Sequence, residues 1–350
     1  MPRVGIVVPV YNGEAYLFDC LASIAAQTYS DWEAIIVNNC STDRTGKIAD
    51  LFAQQDSRFS VVHCSEFLSQ PENYNRAVSF GVARAEYLKI VEADNEIWPE
   101  CLEKMVTLAE RDPEIGLVGC YWFHGKGLKG EAVPPEKKIL EGSEVCREHL
   151  VTDVYYLGTP TTLLFRVAAL PSTSPCFRPG LFFDDVDLCF RVLRDWKFGF
   201  VHQVLVFVRD DNQGIFDAFA EFDYIPTYRY LLAIAYGREL FDRPQAKAII
   251  VRRKSAYYRK LGIAVLDARP RTYWSFHQKA FRVMGYCLSY FEVIRWVPRV
   301  ILERIYDSKP VVIIRGPARR LKRWCLKTLA SSRGADSSYK KTAGVFPTSK

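Results

Sequence analysis

The strongest constraint on this chain is an alternation of short β-branched apolar runs with amphipathic segments across residues 4–123. Residues 4–10 (VGIVVPV) are apolar without interruption, which predicts a strand buried on both faces of a parallel sheet. The run stops at Tyr11-Asn12-Gly13. Residues 14–28 then place apolar side chains at helical spacing, with Glu14 in the first turn, where an acid suits the helix dipole. Residues 32–38 predict a second strand, and Ser41-Thr42-Asp43 offers a cap for a helix over 44–55. A third strand is expected at 59–64, a helix at 73–84 and a fourth strand at 86–92. Pro99 opens a helix reaching about Arg111, and residues 115–123 form a fifth strand. Repeated β-α-β units require right-handed crossovers. The fold class is therefore α/β, a mostly parallel sheet with helices on both faces. Ligands of such sheets sit at the carboxyl ends of the strands. The segments after Val10, Val37 and Val91 are those ends, and each carries a polar cluster.

Beyond the alternation, residues 124–150 are rich in Gly, Pro and Lys and suggest a loop or hairpin. Residues 155–170 hold Gly158-Thr159-Pro160 and an apolar stretch. An acidic start at 182 leads into a helix, and 199–208 is a further strand followed by Arg209-Asp210-Asp211-Asn212. From residue 217 the chain reads as helical. Residues 331–350 are polar and poor in core formers, which predicts a disordered tail. The expected organisation is a catalytic domain over 1–216, a helical extension over 217–330 and the tail over 331–350.

A length of 350 residues suits a domain plus an extension, and 49% hydrophobic against 25% charged residues supports a normal core. The formal net charge of +7 suits nucleotides, acidic lipids or nucleic acid alike and selects none of them. The ten cysteines are scattered without CxxC or Cys/His spacing, as expected for buried thiols in a reducing compartment. The N-terminal apolar run is too short for a signal peptide. No apolar run approaches the roughly 20 residues that span a bilayer. The expected location is cytoplasmic.

Three acidic constellations can carry chemistry. Glu92-Ala93-Asp94-Asn95 follows a strand, where alternate carboxylates can hold a hard cation such as Mg²⁺ or Mn²⁺; an ordinary acidic turn is the other reading. Asp184-Asp185-Val186-Asp187 opens a helix. Helix capping explains at least one of these acids, while a carboxylate among Phe182, Phe183 and Leu188 can act as a general base. In Arg209-Asp210-Asp211-Asn212, Asp211 is a candidate metal ligand and Arg209 a candidate phosphate partner, against a solvated turn. Gly125-Lys126-Gly127-Leu128-Lys129-Gly130 matches G-x-G-x-x-G. The prolines at 134 and 135 forbid the helix that a dinucleotide site needs, so a mobile loop is expected there.

Taken in order, these blocks resemble the family 2 glycosyltransferases over about residues 3–215. The resemblance rests on Val8-Pro9-Val10-Tyr11-Asn12, Gln27-Thr28-Tyr29, the run Ile35 to Asp43, Asn73-Tyr74-Asn75-Arg76-Ala77, Glu92-Ala93-Asp94-Asn95 with Trp98-Pro99, Gly158-Thr159-Pro160, and Phe183-Asp184-Asp185-Val186-Asp187-Leu188. It implies a GT-A fold, Rossmann-like in its sheet, and inverting sugar transfer. It also implies a divalent metal, Mn²⁺ or Mg²⁺, on Asp94 with Glu92 and Asp211. Pro9, Tyr11, Asn38, Asp43, Asn75, Arg76 and Ala93 are implied at the nucleotide. Asp185 is implied as the catalytic base, and Gly158, Thr159 and Asp184 at the acceptor. Asn38 and Cys40 stand where the family usually has Asp and Gly. The implied partners are a nucleotide-sugar donor (a UDP-sugar favoured, dTDP- and GDP-sugars as alternatives) and a glycan or lipid-linked acceptor, with no nucleic acid. A scaffold protein with a decayed site is the competing reading, and a nucleotidyltransferase a third. Basic residues among Leu321, Trp324 and Leu326 suggest either a peripheral membrane contact or a packed helix.

Overall fold

The computed structural model describes residues 3–83, 85–131, 133–152, 157–210 and 221–307. Asp211, the predicted tail and the basic segment near 321 lie outside them. The chain divides into two units, residues 1–297 and 298–350, and the sheet and the site described below belong to the first.

One sheet organises it. Strands β1 (Val4–Val10), β2 (Trp32–Asn38), β3 (Phe59–His63), β4 (Tyr87–Ile90), β5 (Glu96–Ile97), β6 (Ile115–His124), β7 (Gly127–Lys129), β8 (Ile139–Leu140), β9 (Leu164–Arg166) and β10 (Lys197–Val208) take part. The main order is β3-β2-β1-β4-β9-β6-β10-β5, with β7 on β6 and β8 on β10. Strands β3, β2, β1 and β4 pair in parallel, as does β6 with β10. Every residue of β1 is buried, which is why its sequence shows no alternation.

The helices are α1 (Leu17–Ala25), α2 (Thr45–Gln55), α3 (Gln70–Val82), α4 (Cys101–Ala109), α5 (Gly142–Val151), α6 (Asp184–Leu193), α7 (Tyr224–Leu240), α8 (Arg243–Leu266), α9 (Arg271–Val283) and α10 (Tyr290–Asp307). Helix α3 begins in a Ser69/Glu72 capping box. It lies very close to β1, because a Cβ on Gly5 would stand 2.7 Å from the Gly81 carbonyl oxygen. The core is two-sided. Val8, Ile24 and Leu102 pack on one face. On the other, Val7 and Leu88 join Phe190, Leu231 and Tyr257, so α7 and α8 share a core with the sheet.

Four local expectations are corrected. Helix α1 starts at Leu17, not residue 14. Glu14 instead accepts from the Arg44 backbone N–H at 2.8 Å, ahead of α2. Residues 142–151 are helical, not loop, with only Val145, Cys146, His149 and Leu150 as large buried side chains. Residues 164–166 form an antiparallel strand inserted between β4 and β6. The glycine-rich stretch is an ordered β6–β7 hairpin rather than a mobile loop, with Gly125 and Gly130 at positive φ.

Candidate active site

The strand order reverses between β1 and β4, and a cavity of about 450 Å³ opens beyond that point. Its walls include Pro9, Tyr11, Asn39, Phe67, Glu92, Ala93 and Asp94. A second cavity of about 510 Å³ is lined by Thr159, Phe182, Asp184 and Asp185 among others. Gln70, Tyr74 and Glu92 line both. Asp94 and Asp185, 91 positions apart in the sequence, therefore open onto adjoining spaces that share a wall.

The loop after β1 is tied to the loop after β2. Asn12 and Gly13 donate their backbone N–H groups to Ser41 Oγ (2.9 Å) and Thr45 Oγ1 (2.8 Å), and the Thr42 N–H donates to Asn12 Oδ1 (2.9 Å). Asp43 accepts from the N–H groups of Glu14 and Thr45. Burial pulls the Asp43 pKa upward, but these bonds outweigh it and hold the carboxyl below its ordinary range. Asp43 thus fastens the loops together and does not line the cavity.

Asn38 is turned inward. Its Oδ1 accepts from the Ser41 N–H at 3.1 Å, its Nδ2 donates to His63 Nδ1 at 3.1 Å, and it is 6% exposed. The neighbouring Asn39 lines the cavity, clamped by Leu68 N–H (3.0 Å), Leu68 C=O (2.8 Å) and Arg76 (2.7 Å). Arg76 is accordingly a brace for Asn39. Asn75 pins the backbone of Phe177 through both ends of its amide. Phe67 sits edge-on to Tyr11 at 4.8 Å, and no sequence pattern marks it.

Cys40 adopts φ of 59°, the left-handed region that glycine enters freely. Its thiol donates to the Cys64 carbonyl at 3.0 Å, a weak bond that does not cover the strain. Cys40→Gly should stabilise the fold by about 0.5–1 kcal/mol, since the left-handed penalty of roughly 1–2 kcal/mol exceeds the added chain entropy. A melting temperature that stays level or drops in this variant would contradict that account.

Glu92 is the hinge of the site. Its Oε1 accepts from Tyr74 OH (3.2 Å) and its Oε2 from Thr161 Oγ1 and Asn95 Nδ2 (both 2.9 Å). The Glu92 N–H donates back to Thr161 Oγ1 at 2.9 Å. Thr161 is fully buried in the turn after Gly158-Thr159-Pro160 and was not foreseen. Lys89, also fully buried, donates to the Leu163 carbonyl at 3.2 Å and to the Thr161 carbonyl, holding that turn against β4. Burial, then the charge of Asp94, raises Glu92 to about 7. With both oxygens hydrogen-bonded, Glu92 positions the turn. Gly158 is buried and packs so close to Thr162 that a Cβ would collide with it, while Thr159 and Pro160 reach the second cavity.

Asp184, Asp185 and Asp187 part company on α6. Burial, then the charge of Asp185, pushes Asp184 up to about 8. Burial pushes Asp185 up to about 6, against the pull of the Val186 N–H bonded to its Oδ1 at 2.8 Å. Asp187 faces away, fully buried, between Arg191 (3.0 Å), Arg178 (3.3 Å) and Tyr236 OH (2.7 Å).

Arg209 spans the turn after β4. It donates to the Asp94 carbonyl at 3.2 Å, pairs with Glu96 at 3.0 Å and lies over the Tyr16 ring. Among the described residues no cluster of three His, Cys, Asp or Glu side chains forms a ready metal cage. The first cavity still suits a hard cation held jointly with a ligand. Asp94 lines it, its charge is felt by Glu92, and no Lys or Arg is among the lining residues to balance a diphosphate. All nine described cysteines are free thiols, and no described helix is long and apolar enough to cross a membrane.

Comparison with known proteins bears on the family and the fold. Residues 5–170 match the model of glycosyl transferase family 2. The chain is 31% identical over 187 residues to the uncharacterized glycosyltransferase EpsJ of Bacillus subtilis, covering 53% of this chain and 52% of that one. It is 34% identical over 120 residues to the glycosyltransferase GlyG of Streptococcus pneumoniae, covering 34% of this chain and 39% of that one. The matches thus span about half or less of these curated relatives. In structure, residues 1–349 of S. aureus TarS in complex with UDP-GlcNAc superpose with a TM-score of 0.60 at 15% identity, over 90% of this chain and 95% of that one. At that identity the likeness speaks for the fold. Residues 5–170, just under half of the chain, are thus similar to glycosyl transferase family 2, and they are carried on a GT-A fold.

Proposed function

We propose that the chain is an inverting glycosyltransferase that moves a sugar from a nucleotide-sugar donor to an acceptor hydroxyl. The observation that carries this reading is the pair of adjoining cavities, one lined by Asp94 and the other by Asp185, with Glu92 in both walls. The donor occupies the first. Its base packs beside Tyr11 and Phe67, within reach of Asn39, and its diphosphate lies toward Asp94. Mn²⁺ or Mg²⁺ on Asp94, with Asp211 as a further candidate ligand, would neutralise the leaving diphosphate. A UDP-sugar is favoured because TarS, on the same fold, is in complex with UDP-GlcNAc.

The acceptor, a glycan or lipid-linked saccharide of the cell surface, occupies the second cavity. Asp185 takes the proton of the attacking hydroxyl while that oxygen bonds to the anomeric carbon. The bond from that carbon to the phosphate oxygen breaks on the opposite face, and the nucleoside diphosphate leaves with the electron pair. A base near 6 is ionised at neutral pH yet retains more basicity than an ordinary carboxylate. Asp184, near 8, keeps its proton at neutral pH and spares the site a second negative charge beside the base. We place the reaction in the cytoplasm, with peripheral membrane contact through the basic segment near Leu321 as an extension of the reading.

The test is a thermal-shift screen of UDP-, dTDP- and GDP-sugars with Mn²⁺, followed by an assay for nucleoside diphosphate release. One donor class should stabilise the wild type, and Asp94→Ala should remove most of that stabilisation. If donors bind but no diphosphate is ever released with any acceptor, the chain is the sugar-nucleotide-binding scaffold instead.

A further inference from the structure

The second cavity has two chemically different sides. Glu92, Asp184 and Asp185 put carboxylates on the side formed by β4 and α6, while Phe276 and Lys279 of α9 contribute to the lining with Phe182. Helix α9 lies well beyond residues 5–170, so this wall is no part of the matched family domain. Phe276 and Lys279 are three residues apart and share one face of the helix. The Phe276 ring lies 4.7 Å from Phe182 and is backed by Phe222 in a stacked pair at 4.9 Å, so its orientation is set by packing.

The stem of Lys279 passes Gly180, which runs at φ of 86° and where a Cβ would come within 2.9 Å of Lys279 Cε. The ammonium is exposed, and among the described residues it has no carboxylate within ion-pairing distance. Among the described residues, it is also the only cationic side chain lining either cavity.

We infer that α9 supplies an acceptor subsite for an anionic group, a phosphate or carboxylate carried by the acceptor saccharide, with Lys279 as its cationic partner and Phe182 and Phe276 as the apolar platform under the sugar. The inference rests on the transferase reading above. The charge arrangement makes the subsite an orientation filter. An acceptor entering with its anion toward Lys279 presents its other end to Asp185, whereas the reversed pose sets that anion against the ionised Asp185 and the partly ionised Glu92. The lysine needs no burial to do this, since a charge-assisted bond at the rim of an apolar cavity discriminates by sign.

The test titrates glucose, glucose 6-phosphate and glucuronic acid separately into the full chain saturated with UDP and Mn²⁺, which keeps phosphate out of the donor cavity. Binding is followed by ligand-observed NMR. One or both charged sugars should bind about tenfold tighter than glucose, a gap that narrows with added salt. Preference for glucose 6-phosphate alone identifies phosphate as the group, and preference for glucuronic acid alone identifies carboxylate. Lys279→Ala should erase the preference, Lys279→Glu should turn it against the charged sugars, and Lys279→Arg should keep it. Equal binding of all three sugars, no binding of either charged sugar, or a preference that survives Lys279→Glu overturns the subsite. If UDP binds and these results appear, only the subsite is lost; if UDP, dTDP and GDP all fail to bind with Mn²⁺, the transferase reading falls as well.

Discussion

Asp185→Asn will lower the transfer rate by about 10²–10⁴-fold, the usual contribution of a positioned general base. Donor affinity and melting temperature should stay near wild type. Asparagine keeps the shape of the side chain and an oxygen to accept the Val186 N–H, but its amide cannot take a proton from an alcohol. The pH profile separates this from a general disturbance. A base works only when deprotonated, and Asp185 gains its proton as pH falls through about 6. The wild-type kcat/KM should therefore drop tenfold per unit below that value, and the limb should vanish in the variant. A variant that keeps wild-type turnover, or keeps the acid limb, would remove Asp185 from the role of base.

Asp187→Ala will do the opposite, harming the fold first. This carboxylate is fully buried and holds Arg191, Arg178 and the Tyr236 hydroxyl. Its removal leaves guanidinium groups, of which Arg191 is only 10% exposed, without their counter-charge. Breaking such a pair costs about 3–5 kcal/mol when both partners are buried, and the partial exposure of Arg178 argues for the lower end. Denaturant melts of the variant, compared with Asp184→Ala as a control on the same helix turn, check this. If Asp184→Ala is the more damaging of the two, the division of labour along α6 is misassigned.

Those two neighbours show where sequence reasoning reaches its limit. Four residues, Asp184-Asp185-Val186-Asp187, announce a charged helix start, and order along the chain suggests that one acid does chemistry. Successive helical residues point about 100° apart. Which acid meets a cavity and which meets an arginine then depends on what packs around the helix. Here Arg178 and Tyr236 approach from other segments and claim Asp187.

Similarly, Asp94 was legible because it follows a buried strand, while the restraint on Glu92 was not. Thr161 lies 69 positions away along the chain, and a lone threonine carries no local signal. Asn38 was expected at the nucleotide because it stands where the family resemblance puts an Asp. The structure turns it inward because the loop carrying Ser41 folds back to donate to it, and Asn39 is the one that reaches the cavity. Helix α5 escaped notice because its buried residues are few and include a cysteine and a histidine, too little for a periodic stripe. Strand β9 escaped notice because three residues are too short for any period.

What the sequence determined by itself is the layered α/β alternation and the polar strand ends, because burial on both faces of a parallel sheet and the capping of helices act over a few neighbouring residues. Tertiary structure alone decided which carboxylates line a cavity, which hold the fold, and that α9 walls the second cavity. Those outcomes follow from side chains brought together by packing, from 9 positions apart for Arg178 and Asp187 to 69 for Glu92 and Thr161 and further for α9, and the local pattern of either partner carries no record of the other.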